Sequence, residues 1–167
     1  MCRTGLLTVA AVLAALLVGC NHPTTTASTT STSQAATDPT TPAASANENT
    51  WGNYLAEIGK LHGKDVSMHP YIYVIPAGDS VAANARRQNE TDSVVHSIGP
   101  ILMPGGMLIV GGPDPKQTTA FLGDVAKQLK ADTLKGIVVM VVSDASEQGA
   151  VTSTLKASGA TVRVVTM

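Results

Sequence analysis

Three short segments of this 167-residue chain hold the residue types that could do chemistry: Gly78-Asp79-Ser80, Gly111-Gly112-Pro113-Asp114 and Ser143-Asp144. Each follows an apolar run of strand character, and in an open parallel sheet ligands bind beyond the carboxyl ends of the strands. The three turns would then share one rim. There Asp79, Asp114 and Asp144 could hold a hard cation such as Mg²⁺, or backbone amides at helix starts could receive a phosphate or carboxylate. The same residues have a purely structural use. Asp114-x-x-Gln117 and Asp144-x-x-Glu147 are capping-box spacings, Pro115 suits a first helical position, and Asp79 or Ser80 can cap a third helix. A cap is worth roughly 1 kcal/mol by itself. The candidate rim is therefore Asp79, Ser80, Gly111, Gly112, Asp114, Ser143 and Asp144, with capping as the leading explanation.

Other chemistry is scarce. The run from Gly111 to Thr118 lacks the Gly-Lys-Ser/Thr spacing of a phosphate-binding loop, and no G-x-G-x-x-G follows a strand. There is no G-x-S-x-G elbow and no H-E-x-x-H, and His62, His69 and His96 are not at metal-ligand spacing. No catalytic residue, metal site or cofactor is assigned.

The elements that must position the rim can be read from periodicity. Trp51, Tyr54, Leu55, Ile58 and Leu61 form one helical stripe, with Asn49 or Thr50 as cap and Gly63 as stop. Strands are expected at 71–75, 107–110, 137–142 and 161–166; the third is apolar throughout, as in a strand buried on both faces. In the last, Val162 and Val164 oppose Arg163, the pattern of an edge. Phe121, Leu122, Val125, Ala126 and Leu129 mark one intervening helix, and Val151 with Leu155 another, ended by Gly159. Residues 80–98 read as a helix broken or mostly exposed around Arg86-Arg87-Gln88-Asn89-Glu90-Thr91-Asp92. Gly99-Pro100 and Pro104-Gly105-Gly106 punctuate the approach to the second strand as a turn. The order β-α-β-α-β-α-β, after an extra N-terminal helix, predicts a small three-layer α/β sandwich with a mainly parallel sheet of about four strands. A receiver-like or minimal Rossmann-like arrangement fits that order.

Upstream, Arg3 precedes an apolar stretch from Leu6 to Val18 that ends in Leu17-Val18-Gly19-Cys20. The stretch is too short to span a bilayer, which takes about 20 apolar residues. It has the n-region and h-region of a secretory signal, and its last four residues resemble the lipobox of bacterial lipoproteins. The resemblance covers only these first twenty or so residues. It implies cleavage between Gly19 and Cys20, a diacylglycerol on the Cys20 sulfur and further acylation, palmitate for instance, of the new amino group. Two or three acyl chains anchor a protein stably where one is marginal. It also implies a cell-envelope location, with Asn21 rather than Asp after the cysteine favouring an outer membrane facing the periplasm over the inner membrane in a Gram-negative cell.

Cleavage would leave ten basic and twelve acidic residues, with Cys20 as the only cysteine. An intrachain disulfide is then impossible, the thiol is consumed by the anchor, and the balance offers no footprint for nucleic acid. Residues 20–50 are rich in Thr, Ser, Ala and Pro, a composition expected to be a disordered tether; with about 28 residues its mean span would be near 30 Å. The expected organisation is 1–19 signal peptide, 20–50 lipidated cysteine and tether, and 51–167 globular domain. The functional expectation is a non-catalytic, lipid-anchored envelope protein whose partners are the membrane, through Cys20, and an envelope protein. Small-molecule or divalent-ion binding at the rim is the alternative, and a hydrolase using the rim aspartates a third.

Overall fold

The computed structural model describes residues 38–98 and 100–167. The lipobox, the Gly19/Cys20 cleavage site, residues 20–37 of the expected tether and Gly99 lie outside the described residues.

Four helices alternate with four strands: α1 (Glu48–His62), β1 (Tyr71–Val74), α2 (Val81–Ser97), β2 (Met107–Gly111), α3 (Pro115–Gln128), β3 (Val138–Ser143), α4 (Gln148–Leu155) and β4 (Thr161–Thr166). All strand pairs are parallel, in the order β1-β2-β3-β4. The fold class is the expected α/β sandwich. The receiver-like or Rossmann-like expectation is corrected, because both arrangements reverse direction partway through the sheet and this one never does. Successive crossovers of one hand then carry α2, α3 and α4 to the same face, and α1 is left to cover the other.

The side chains follow that division. Toward α2–α4 point Ile75, Leu108, Val110, Val139 and Val141, which pack with Val94, Phe121, Leu122, Val125, Val151 and Leu155. Toward α1 point Met107, Ile109, Met140, Val142 and Val165, around Trp51, Tyr54, Leu55 and Ile58. The helix lies directly over β2. A Cβ on Gly59 would sit 2.4 Å from Ile109 Cδ1, and one on Gly111 would sit 2.7 Å from Leu55 Cδ2. Hydrogen in place of a side chain at these two positions is what allows so close an approach.

Local signals explain most boundaries, with some corrections. Asn47, two residues before the expected cap, accepts from Thr50 N–H at 2.9 Å and starts α1 earlier. Leu61 is only half-buried. α2 is unbroken over 17 residues but buries only Thr91 and Val94. Its polar middle contains Arg, Gln and Glu, all good helix formers. Among the described residues, no helix is long and apolar enough to cross a membrane.

The expected tether is also shortened. Residues 38–46 form a strap along α1: His62 Nε2 meets Asp38 Oδ1 at 2.7 Å, Tyr54 OH meets Thr41 Oγ1 at 3.2 Å, and Trp51 Nε1–H donates to Ala43 O at 3.3 Å. These are partners that composition alone does not reveal. Residues 48–50 belong to α1 itself.

At the far side of the sheet, Arg163 of β4 donates to His62 O at 2.8 Å and grips both Asp65 oxygens. One side chain thus ties the edge strand to the end of α1. Hydrogen bonding by Arg163, foremost, holds the Asp65 carboxyl at about 2, below its usual 3.8. A depressed folded-state value means that the stabilisation is complete above pH 3.8 and is lost as the pH falls toward 2. Asp65 is largely exposed, so the effect is modest. Thermal melts of the wild type and Asp65→Asn should differ by a constant amount at neutral pH and converge between pH 3.8 and about 2. Parallel profiles through that window would remove the clasp from the pH response.

Candidate functional site

Most residues of the expected rim are accounted for by the fold. Ser80 caps α2, accepting from Ala83 N–H at 3.1 Å. Asp114 accepts from Lys116 and Gln117 N–H at 3.0 and 3.2 Å, with Pro115 at the first helical position. Gln117 does not complete a capping box, because its side chain reaches across to donate to Asp79 Oδ1 at 2.9 Å. Asp79 and Asp114 are thereby brought together through one glutamine, which ties the turn after β1 to the start of α3. Asp144 accepts from Ser146 N–H at 2.8 Å, and that backbone bond lowers its carboxyl pKa. Among the described residues no three His, Cys, Asp or Glu side chains gather as a metal-binding group. The first amides of α3 and of the turn before α4 face carboxylates, which repel an anion at those two positions.

The remaining rim residues are inside the protein. Gly111 lies under Leu55, and a Cβ on Gly112 would come within 2.2 Å of Ile75 O, a backbone atom that cannot step aside. Ser143 is fully buried, and its Oγ is the only buried side-chain polar atom without a partner among the described residues. An unpaired buried hydroxyl costs about 1–3 kcal/mol. Ser143→Ala should therefore raise the unfolding free energy, read from denaturant titration, by up to roughly that amount; a loss of stability would mean that the hydroxyl has a partner.

A concavity does open at the carboxyl end of the sheet, but other residues line it. About 270 Å³ is lined by Ala44 and Ala46 of the strap, Glu48 and Trp51 of α1, Val74, Pro76 and Ala77 at the end of β1, Arg86 of α2, and Pro113. Sharing Glu48 and Val74 with it is a more open groove of about 540 Å³, which runs beside β1 between Asn49, Gly52 and Asn53 of α1 and Glu90 of α2. The two form one channel along an edge of the sheet.

Backbone direction gives this edge its chemistry. Ile75 N–H donates to Gly111 O at 2.8 Å, so by the two-residue alternation of a strand Tyr73 and Tyr71 also face β2. The N–H and C=O groups of Ile72 and Val74 therefore turn outward, where no strand follows among the described residues. Pro70 and Pro76 bracket this short run. At its rim Arg86 is hydrogen-bonded to Glu48 and lies 3.9 Å from Glu90, and the Glu48 bond raises the guanidinium pKa. Arg87, beside it, serves the fold by donating to Pro76 O and Gly78 O at 2.8 Å. Sequence reading assigned Trp51 to the core, where its ring is indeed buried, and set Arg86 aside in a polar interval. Nothing local marks either as a channel residue, because only strand order makes β1 an edge.

His62 pairs with Asp38, and His96 Nδ1 lies 2.6 Å from Asp92 O. No protein-family model matches this chain, and no match is found among curated proteins or solved structures.

Proposed function

We propose that this chain is a lipid-anchored cell-envelope protein whose α/β head is a non-catalytic module that binds an extended segment of a partner protein along β1. The observation carrying this reading is the outward-facing backbone of Ile72 and Val74, set in a channel between α1 and α2. Strand addition to a sheet edge gains affinity from main-chain hydrogen bonds and specificity from pockets for alternate side chains. Here two N–H and two C=O groups are on offer. At about 0.5–1.5 kcal/mol net for each bond, they fall short of the roughly 8 kcal/mol of a micromolar complex. The side-chain concavities must supply the rest.

Shape favours a polypeptide over a small molecule. Both parts of the channel, about 270 and 540 Å³, lie open to solvent along the strand, whereas small-molecule sites bury most of their ligand's surface. The channel's two carboxylates are already committed to Arg86, which argues against a hydrolytic role for them. Pro70 and Pro76 keep the edge short, which blunts open-ended association.

The head is tested by a photo-crosslinking amino acid at Asn53, in the groove, and at exposed Ala150 on α4. Irradiation in cells should give a discrete adduct from position 53 and none from 150; adducts at neither position, or the same adducts at both, would overturn the reading. The anchor has its own test. Cys20→Ser should accumulate an uncleaved precursor without lipid, and normal maturation of that variant would refute lipidation at this cysteine.

A further inference from the structure

We propose that the end of the head at which the chain enters its strands is a docking face for an anionic lipid surface. Because α1 runs antiparallel to β2, with Gly63 against Met107 and Leu55 against Gly111, the strap delivers Asp38 to the amino end of the sheet beside His62. The described chain begins there at Asp38, 18 positions after Cys20, which limits the separation of the two residues to about 60 Å even when fully extended.

Charge is segregated along the same axis. The loops entering the strands (63–70, 98–106, 129–137 and 156–160) carry exposed Lys64, Lys130, Lys135 and Lys156 against Asp65 and Asp132, with Asp38 at the same end; Arg163 pairs with Asp65 and His62 with Asp38. The turns leaving the strands carry Asp79, Asp114, Asp144 and Glu147, against Lys116 in the first turn of α3 and Arg87, whose Nη2 lies 3.8 Å from Asp79 Oδ1. Lysines near helix carboxyl ends also complement helix dipoles, so charge alone would not single out a lipid surface. Apolar groups add to the difference. Among the described large apolar residues Tyr71, Ile101 and Met103 are 36, 46 and 46 % exposed at this end, against Val81 alone, 87 % exposed, at the other; Leu102, between Ile101 and Met103, is buried and pins the loop into the core. Backbone bonds from Ile101 and Leu102 N–H to Ser97 O, and from Gly106 N–H to Met103 O, fix the presentation. Large apolar side chains held outward at the end that carries these lysines, where the described chain begins, fit the headgroup and upper acyl region of an anionic bilayer.

The inference does not depend on strand addition at β1; the reach of a Cys20 anchor supports it, and the test removes that anchor. The contacts holding both cores lie within residues 38–167, so the test uses the chain from residue 20 with Cys20→Ser, its fold verified by thermal melting. An environment-sensitive fluorophore is placed on Met103→Cys or, separately, Ala150→Cys. Vesicles rich in phosphatidylglycerol should blue-shift the label at 103 and not at 150, and phosphatidylcholine vesicles should shift neither. At about fivefold per lysine, the combined Lys130→Glu, Lys135→Glu and Lys156→Glu changes should weaken binding at least about 100-fold, and added salt should weaken it in the wild type. No shift at 103, equal shifts at both sites, equal binding to both lipids, or unchanged binding by the triple variant would overturn the proposal. Crosslinking at Asn53 reads the β1 channel separately, so failure of either idea is distinguishable from failure of the other.

Discussion

A parallel sheet must be covered on both faces, and this one has a single helix for one of them. Four strands about 4.8 Å apart make a sheet roughly 19 Å across, whereas a helix with its side chains covers about 10 Å. The deficit shapes the whole α1 side. Gly59 and Gly111 let α1 sit low on β2, where Trp51, Tyr54, Leu55 and Ile58 reach the inner strands. The strap, Val66, Met167 and Arg163 with its Asp65 partner close the remainder. Segments that resemble linker by composition are recruited because apolar sheet surface would otherwise meet water.

The same topology settles where a site can be. Without a reversal in strand order there is no crevice between diverging crossovers, so the rim is filled with caps: Ser80, Asp114 and Asp144 satisfy backbone donors, and Asp79 takes Gln117. Free hydrogen-bonding capacity is displaced to the sheet margin. At β1 it lies in a channel because α1 and α2, on opposite faces, both overhang the strand. A binding role along that edge, and a lipid-facing role for the end with the exposed Ile101 and Met103, use separate surfaces of one small head. They impose no conflicting demand on the fold.

Much of the architecture was legible in the chain. Four apolar runs fell within a residue of the observed strands, and Val162 and Val164 against Arg163 marked β4 as an edge. Asp114 and Asp144 were legible as caps because capping is a local transaction between a side chain and amides two or three residues away, whereas the Asp79 partner, Gln117, is 38 residues distant. Less accessible were Asn47 as the start of α1 and the continuity of α2, where good helix formers outweighed a weak apolar pattern.

By itself the sequence determined the alternation of helix and strand, the caps, the doubly buried third strand and the absence of the familiar nucleotide and hydrolase motifs, since each is written in neighbours or in a short period. Tertiary structure alone decided the strand order, the strap on α1, the Arg163–Asp65 clasp across 98 residues, the partnerless Ser143 hydroxyl and the open channel at β1. These depend on which distant segments become neighbours. Side-chain periodicity shows which face of a strand is buried, and not which strand, if any, lies beside it.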